Sequence, residues 1–117
     1  MFNLENKIAI VTGASQGIGK SISEIFSKAG AHVVCIARNR DKLKELVNEI
    51  CSSGNSASYI SCDISDSNSI ERALKSVITD HRQIDILVNN AGITKDSLIF
   101  RMKEQKWNEV MNTNLKG

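Results

Sequence analysis

Ile8-Ala9-Ile10-Val11-Thr12-Gly13-Ala14-Ser15-Gln16-Gly17-Ile18-Gly19 is the stretch that decides the fold of this 117-residue chain. Its first four residues form a short, continuous apolar run, the pattern of a strand buried on both faces of a parallel sheet. The residues after Gly19 have helical periodicity, so Gly13, Gly17 and Gly19 fall where a strand turns into a helix. Glycine allows the tight turn and lets the backbone come close to an anion. The free amides and positive dipole end of the following helix attract that anion. The order strand, TGxxxGxG turn, helix therefore predicts a phosphate-holding loop, although the spacing is not GxGxxG.

The same alternation continues outward. Further short apolar runs predict strands at Val33 to Ala37, Ala57 to Cys62 and Ile84 to Val88. Between them lie stretches of helical period. The first carries Ile18, Ile22, Ile25, Phe26 and Ala29 on one stripe and stops before Gly30; the second carries Leu43, Leu46, Val47 and Ile50. The third follows Ser65 and Asp66, which are suited to cap it, and shows Ile70, Ala73, Leu74, Val77 and Ile78. A loop then begins at Asn89-Asn90-Ala91-Gly92, and a last helix from about Lys103 puts Trp107, Val110, Met111 and Asn114 on one face.

Strands alternating with helices predict an α/β fold: a Rossmann-type doubly wound parallel sheet with strand order 3-2-1-4. The whole chain, residues 1–117, reads as one nucleotide-binding domain, incomplete at its C-terminus. That order leaves the strand Ile84 to Val88 on an unpaired edge, which predicts a chain that is marginal in solution or aggregates.

Composition narrows the function. With 41% hydrophobic and 24% charged residues the chain is of ordinary globular type, and 15 basic against 13 acidic residues form no like-charge block. No nucleic acid and no membrane is expected as partner, and Met1 to Lys7 carries no leader pattern, so the expected location is cytoplasmic. Cys35, Cys51 and Cys62 have no CxxC spacing and indicate neither a disulfide framework nor a metal site.

The C-terminal ends of parallel strands open on one edge, so loop residues after each strand share one cleft. After the second strand, where an acid would accept from the ribose 2′-hydroxyl of NAD, the chain has Ala37-Arg38-Asn39-Arg40. Arg38 offers charge-assisted bonds to a 2′-phosphate, which favours NADPH. Asp63 after the third strand is placed to accept from an adenine amino group, and Asn90 with Gly92 after the fourth to line the adenosine side.

Together these features resemble the short-chain dehydrogenase/reductase family, marked by the TGxxxGxG loop, an aspartate after the third strand, NNAG after the fourth and an asparagine in the next helix. Within that family, Asn89-Asn90-Ala91-Gly92-Ile93-Thr94-Lys95-Asp96, Arg101-Met102, Trp107 and Thr113-Asn114-Leu115 look like the 3-oxoacyl-acyl-carrier-protein reductases. The resemblance implies NADPH as coenzyme. Thr12, Gly13, Ala14, Ser15, Gln16, Gly17, Ile18 and Gly19 would hold phosphates and ribose, Arg38 the 2′-phosphate, Asp63 and Ile64 the adenine, and Asn90, Ala91 and Gly92 the adenosine ribose.

Asn114 aligns with the family's catalytic asparagine, which anchors a water in a proton relay. The implied reaction is reduction of a 3-oxoacyl thioester on acyl carrier protein to the 3-hydroxyacyl form in fatty-acid synthesis, by an enzyme that is a homotetramer at full length. Two departures qualify this. Gln16 stands where the reductases often have a basic residue, and no YxxxK occurs: the single tyrosine, Tyr59, has Asp63 four residues on. The serine, tyrosine and lysine are expected in sequence outside this chain, which alone would not catalyse. A nucleotide-binding module without catalysis, and a reductase of another ketone such as acetoacetyl-CoA, remain the alternatives.

Overall fold

The computed structural model describes residues 3–90, side chains included, and the backbone of 98–102. The elements run β1 (Ile8–Thr12), α1 (Gly17–Lys28), β2 (His32–Ala37), α2 (Arg40–Ser52), β3 (Ser56–Ser61), α3 (Ser67–His81), β4 (Ile84–Asn89) and β5 (Leu98–Met102). They build one sheet of order β3-β2-β1-β4-β5. The β1–β2, β2–β3 and β1–β4 pairs are parallel, with Ile10 opposite Val34 on one side and Leu87 on the other. The predicted order 3-2-1-4 and the doubly wound α/β class are thus found.

One expectation is overturned. The strand at Ile84 to Val88 is not an unpaired edge, because β5 lies antiparallel against it, with Val88 opposite Ile99 and Asn89 opposite Leu98. The physical reason is the one that made a bare edge suspect: its unpaired N–H and C=O groups recruit a neighbouring segment. The helix expected from about Lys103, with Trp107 and Asn114, lies outside the described residues, as do Ala91 and Gly92.

Residues alternate between the two faces of each strand, so each face has its own core. Ile10, Val34, Ile36, Ile84 and Leu87 meet α3 through Ile70, Leu74, Val77 and Ile78. Ala9, Val11, Val33, Cys35, Ala37 and Val88 meet the α2 stripe of Leu43, Leu46, Val47 and Ile50. Both helical stripes match the sequence reading. Asn39 caps α2 by accepting from Lys42 N–H at 3.0 Å, and Asp66 caps α3 by accepting from Asn68 N–H at 3.0 Å. Burial pushes the Cys35 thiol up to about 11, although a hydrogen bond with Ser23 pulls the other way, so it behaves as a core residue.

The α1 stripe corrects the sequence reading. Ile18 and Ile25 are 69% and 53% exposed, and the residues turned to the sheet are Gly19, Ser23 and Ser27. The helix sits too close to the sheet for larger side chains there. Ser23 and Ser27 turn their hydroxyls back to the Gly19 and Glu24 carbonyls at 2.8 and 2.9 Å, so neither is left unsatisfied in the core. Ile22 and Phe26 cover the flank of the core from a partly buried position.

At the opposite end of the sheet from the glycine loop, His32 of β2 places its ring nitrogens against the Ser56 and Ser58 hydroxyls of β3. Its ring lies 4.7 Å from that of His81 at the end of α3. Burial, then the neighbouring His81, hold the His32 pKa below its ordinary value. The unfolded chain therefore binds this proton more tightly than the folded one. Stability from His32 is complete above a pH of about 6.5 and declines as pH falls below it. Denaturant melts between pH 7.5 and 5 should show this as a slope no steeper than about 1.4 kcal/mol per pH unit, absent in His32→Gln.

Candidate nucleotide-binding cleft

Loops that follow β1, β2, β3 and β4 converge at the C-terminal edge of the parallel strands. There they enclose a cleft of about 800 Å³, lined by Gly13, Ser15, Gln16, Gly17, Ala37, Arg38, Asn39, Lys42, Asp63, Ile64, Ser65 and Asn90. The cleft forms its first wall from the glycine loop. Gly13 and Gly17 have φ of 64° and 60°, a region open to glycine at little cost. A Cβ on Gly17 would meet nothing within 4 Å, so the backbone there is bare toward the opening. A Cβ on Gly19 would lie 2.1 Å from the Gly13 carbonyl oxygen and 3.0 Å from Asn90 Nδ2. Helix, loop and β4 end therefore close on each other only because residue 19 is glycine.

The start of α1 differs from those of α2 and α3: its N-cap, Gln16, makes no side-chain cap bond, whereas Asn39 and Asp66 cap the other two. Helix starts leave N–H groups unsatisfied, and here no side-chain carboxylate or amide caps them. Ala14 N–H holds the loop to the β2 end by donating to the Ile36 carbonyl at 3.3 Å.

Thr12 and Asn90 lock two walls together. The Thr12 hydroxyl accepts from Asn90 N–H at 2.8 Å, and lies 3.4 Å from the Val88 carbonyl and 3.2 Å from Asn89 Oδ1. Thr12 is 3% exposed and Ala14 fully buried, so both stand behind the cleft and shape it rather than line it. Gly19 is likewise buried beneath the loop, and Ile18 is exposed on the first turn of α1.

The second and third walls carry charge. Ser61 Oγ donates to the Arg38 carbonyl at 2.9 Å, tying the β2 exit to β3, and Arg38 lines the cleft wall. Asp63 accepts from the Ser65 hydroxyl at 2.7 Å and from Ser65 N–H at 3.0 Å. Those two bonds, with a smaller contribution from the Arg38 charge, hold its carboxyl below the usual carboxylate range, so it is an anion and an acceptor at neutral pH. Ile64 adds an apolar surface next to it, packed against the α3-side core.

Of the residues singled out from sequence, Gly13, Ser15, Gln16, Gly17, Arg38, Asp63, Ile64 and Asn90 come together here. Ala91, Gly92 and Asn114 fall outside the described residues. Sequence reasoning missed Asn39, Lys42 and Ser65. Lys42 stands in the first turn of α2, and it is the docking of that helix that brings it to Gln16 and the cleft.

A sequence profile of the short chain dehydrogenase family matches residues 7–117. The chain is 44% identical over 113 residues to the 3-oxoacyl-[acyl-carrier-protein] reductase FabG of Staphylococcus epidermidis, covering 96% of this chain and 46% of that protein. It is 42% identical over 113 residues to the FabG of Vibrio cholerae, covering 97% and 45%. The chain thus spans a little under half the length of these relatives.

Among solved structures, a metagenomic short-chain oxidoreductase in complex with NADP superposes with a TM-score of 0.74 at 41% identity, over 77% of this chain and 41% of that one. The L-sorbose reductase of Gluconobacter frateurii, complexed with NADPH and L-sorbose, gives 0.74 at 34% identity, over 91% and 41%. A match across nearly the whole sequence, on a sheet of the expected order with the glycine loop at its C-terminal edge, leaves one conclusion: the chain belongs to the short-chain dehydrogenase family of oxidoreductases.

Proposed function

We propose that this chain is the NADPH-binding part of a reductase that converts 3-oxoacyl-acyl-carrier-protein to the 3-hydroxyacyl form in fatty-acid synthesis. The observation that carries the coenzyme assignment is the uncapped start of α1 beside the bare Gly17 backbone, in one cleft with Arg38. The amides of the loop and the first turn of α1 receive the pyrophosphate. Arg38 takes the 2′-phosphate, Asp63 and Ile64 take the adenine, and Asn90 the adenosine ribose.

When bound, the coenzyme supplies hydride to a carbonyl. The residues of this chain hold it and set its direction, and Asn114 anchors a water of the proton relay. Tyr59 is not the proton donor: it sits on β3 and packs against the α2-side core. In this reading the acid and most substrate contacts come from the part of the relatives' length that the chain does not span. The 3-oxoacyl substrate on acyl carrier protein follows from the likeness to the two FabG proteins. A homotetramer and a cytoplasmic setting complete the reading.

The test is turnover by the chain as its gene encodes it, with NADPH and acetoacetyl groups carried on acyl carrier protein or on CoA. The expected result is kcat/KM at least about tenfold higher for the carrier-protein thioester, a difference of about 1.4 kcal/mol in transition-state binding. Preference for an unrelated ketone would remove the substrate assignment.

A further inference from the structure

In the glycine loop, Gln16 stands where the reductases this chain resembles often have a basic residue, so the loop itself gives Arg38 no second cation. The opposite wall supplies what the loop lacks. Lys42 stands on the first turn of α2, its backbone fixed by the Asn39 cap at 3.0 Å. Its ammonium reaches across and donates to Gln16 Oε1 at 3.2 Å. A lysine ammonium has three N–H donors, so this bond leaves two for another acceptor. Lys42 and Arg38 line the same cleft.

Among the described residues no carboxylate forms an ion pair with that ammonium. Glu45 and Glu49 border the adjoining recess with Lys42, yet among the described residues the ion pair formed is Lys75 with Glu71, on α3. We infer that Lys42, steadied by Gln16 and lining the cleft with Arg38, is the second cation for the coenzyme's 2′-phosphate and sets NADPH over NADH. Gln16 then has a role of its own: its amide oxygen positions the lysine without competing for the phosphate. The two cations divide the work by shape, the planar guanidinium giving directed bonds and the ammonium a compact point charge.

This inference rests on the coenzyme reading above and not on the substrate. Its test is therefore binding alone: titration of the chain as its gene encodes it with NADPH and with NADH, followed by nicotinamide fluorescence. Lys42 is exposed, so Lys42→Ala leaves the core intact, which a thermal melt checks. Lys42→Ala should weaken NADPH binding about tenfold, an exposed charge-assisted bond being at the low end of its range, and change NADH binding less than twofold. Lys42→Arg should keep NADPH within about threefold, because the charge stays.

Raising salt should narrow the NADPH advantage of the parent more than that of Lys42→Ala. Equal loss for both coenzymes would assign Lys42 to the shape of the cleft and overturn the inference, as would an unchanged NADPH affinity. A parent that itself prefers NADH would instead overturn the coenzyme reading, so the two failures are told apart by the parent's own titration.

Discussion

Gly19→Ala should abolish nucleotide binding and lower the stability of the fold by about 3 kcal/mol, the upper range for forcing a methyl group into a closed space. The added carbon would stand 2.1 Å from the Gly13 carbonyl oxygen and 2.7 Å from its carbon, and neither is a side-chain end that can swing aside. Relief requires the loop to lift off α1. That movement also disturbs Asn90, whose Nδ2 is the third close atom, and through it the Thr12 contact that holds β1 to β4.

Gly17→Ala separates the steric effect from the conformational one. Its Cβ would meet nothing within 4 Å, but the residue has φ of 60°. The expected cost is about 1 to 2 kcal/mol of backbone strain, with a methyl group placed at the bare backbone of the opening. Urea melts and NADPH titrations of both variants check the pair. Gly19→Ala should fail in both, whereas Gly17→Ala should keep a cooperative melt and lose affinity. Equal melts for Gly19→Ala and the parent would refute the close packing of loop and helix.

These glycines show what the sequence could and could not disclose. The strand–loop–helix order is local: apolar runs, glycines and helical periodicity sit next to one another in the chain, and each points to the same element. The stripes of α2 and α3 were legible for the same reason, since Leu43, Leu46, Val47 and Ile50, or Ile70, Leu74 and Val77, are both apolar and buried. On α1 the two properties part. Apolar residues need not be inside, and a helix held near the sheet buries Gly19, Ser23 and Ser27 while Ile18 and Ile25 face out.

Pairing of β5 with β4 was hidden because an antiparallel return depends on what edge is available, not on the composition of five residues. In the cleft, Arg38, Asp63 and Asn90 were readable from their places directly after strands. Lys42 was not, because its link to Gln16 joins residues 26 positions apart and exists only after α2 has docked.

Arg38→Asp should reverse the coenzyme preference, and Arg38→Ala should erase most of it. A charge-assisted bond from a guanidinium to a phosphate contributes about 1.5 to 3 kcal/mol, and exposure places Arg38 toward the lower figure, so Arg38→Ala should weaken NADPH binding about tenfold to thirtyfold. The neighbourhood enlarges the effect. Asp63 lies close enough for the Arg38 charge to help hold its carboxyl below the usual range, so removing the guanidinium leaves that anion in the cleft with Lys42 as the remaining cation to offset it.

An aspartate at residue 38 adds a second anion there and, for NADH, an acceptor for the ribose 2′-hydroxyl. The expected outcome is a loss of more than about a hundredfold for NADPH, equivalent to about 2.8 kcal/mol, with NADH affinity unchanged or improved. Fluorescence titrations with both coenzymes read this directly, and Lys42→Ala in the same series should be additive only in part, since both cations address one phosphate. If Arg38→Asp weakened NADH and NADPH alike, Arg38 would be holding the β2 exit in place, and the choice of coenzyme would have to come from another wall of the cleft.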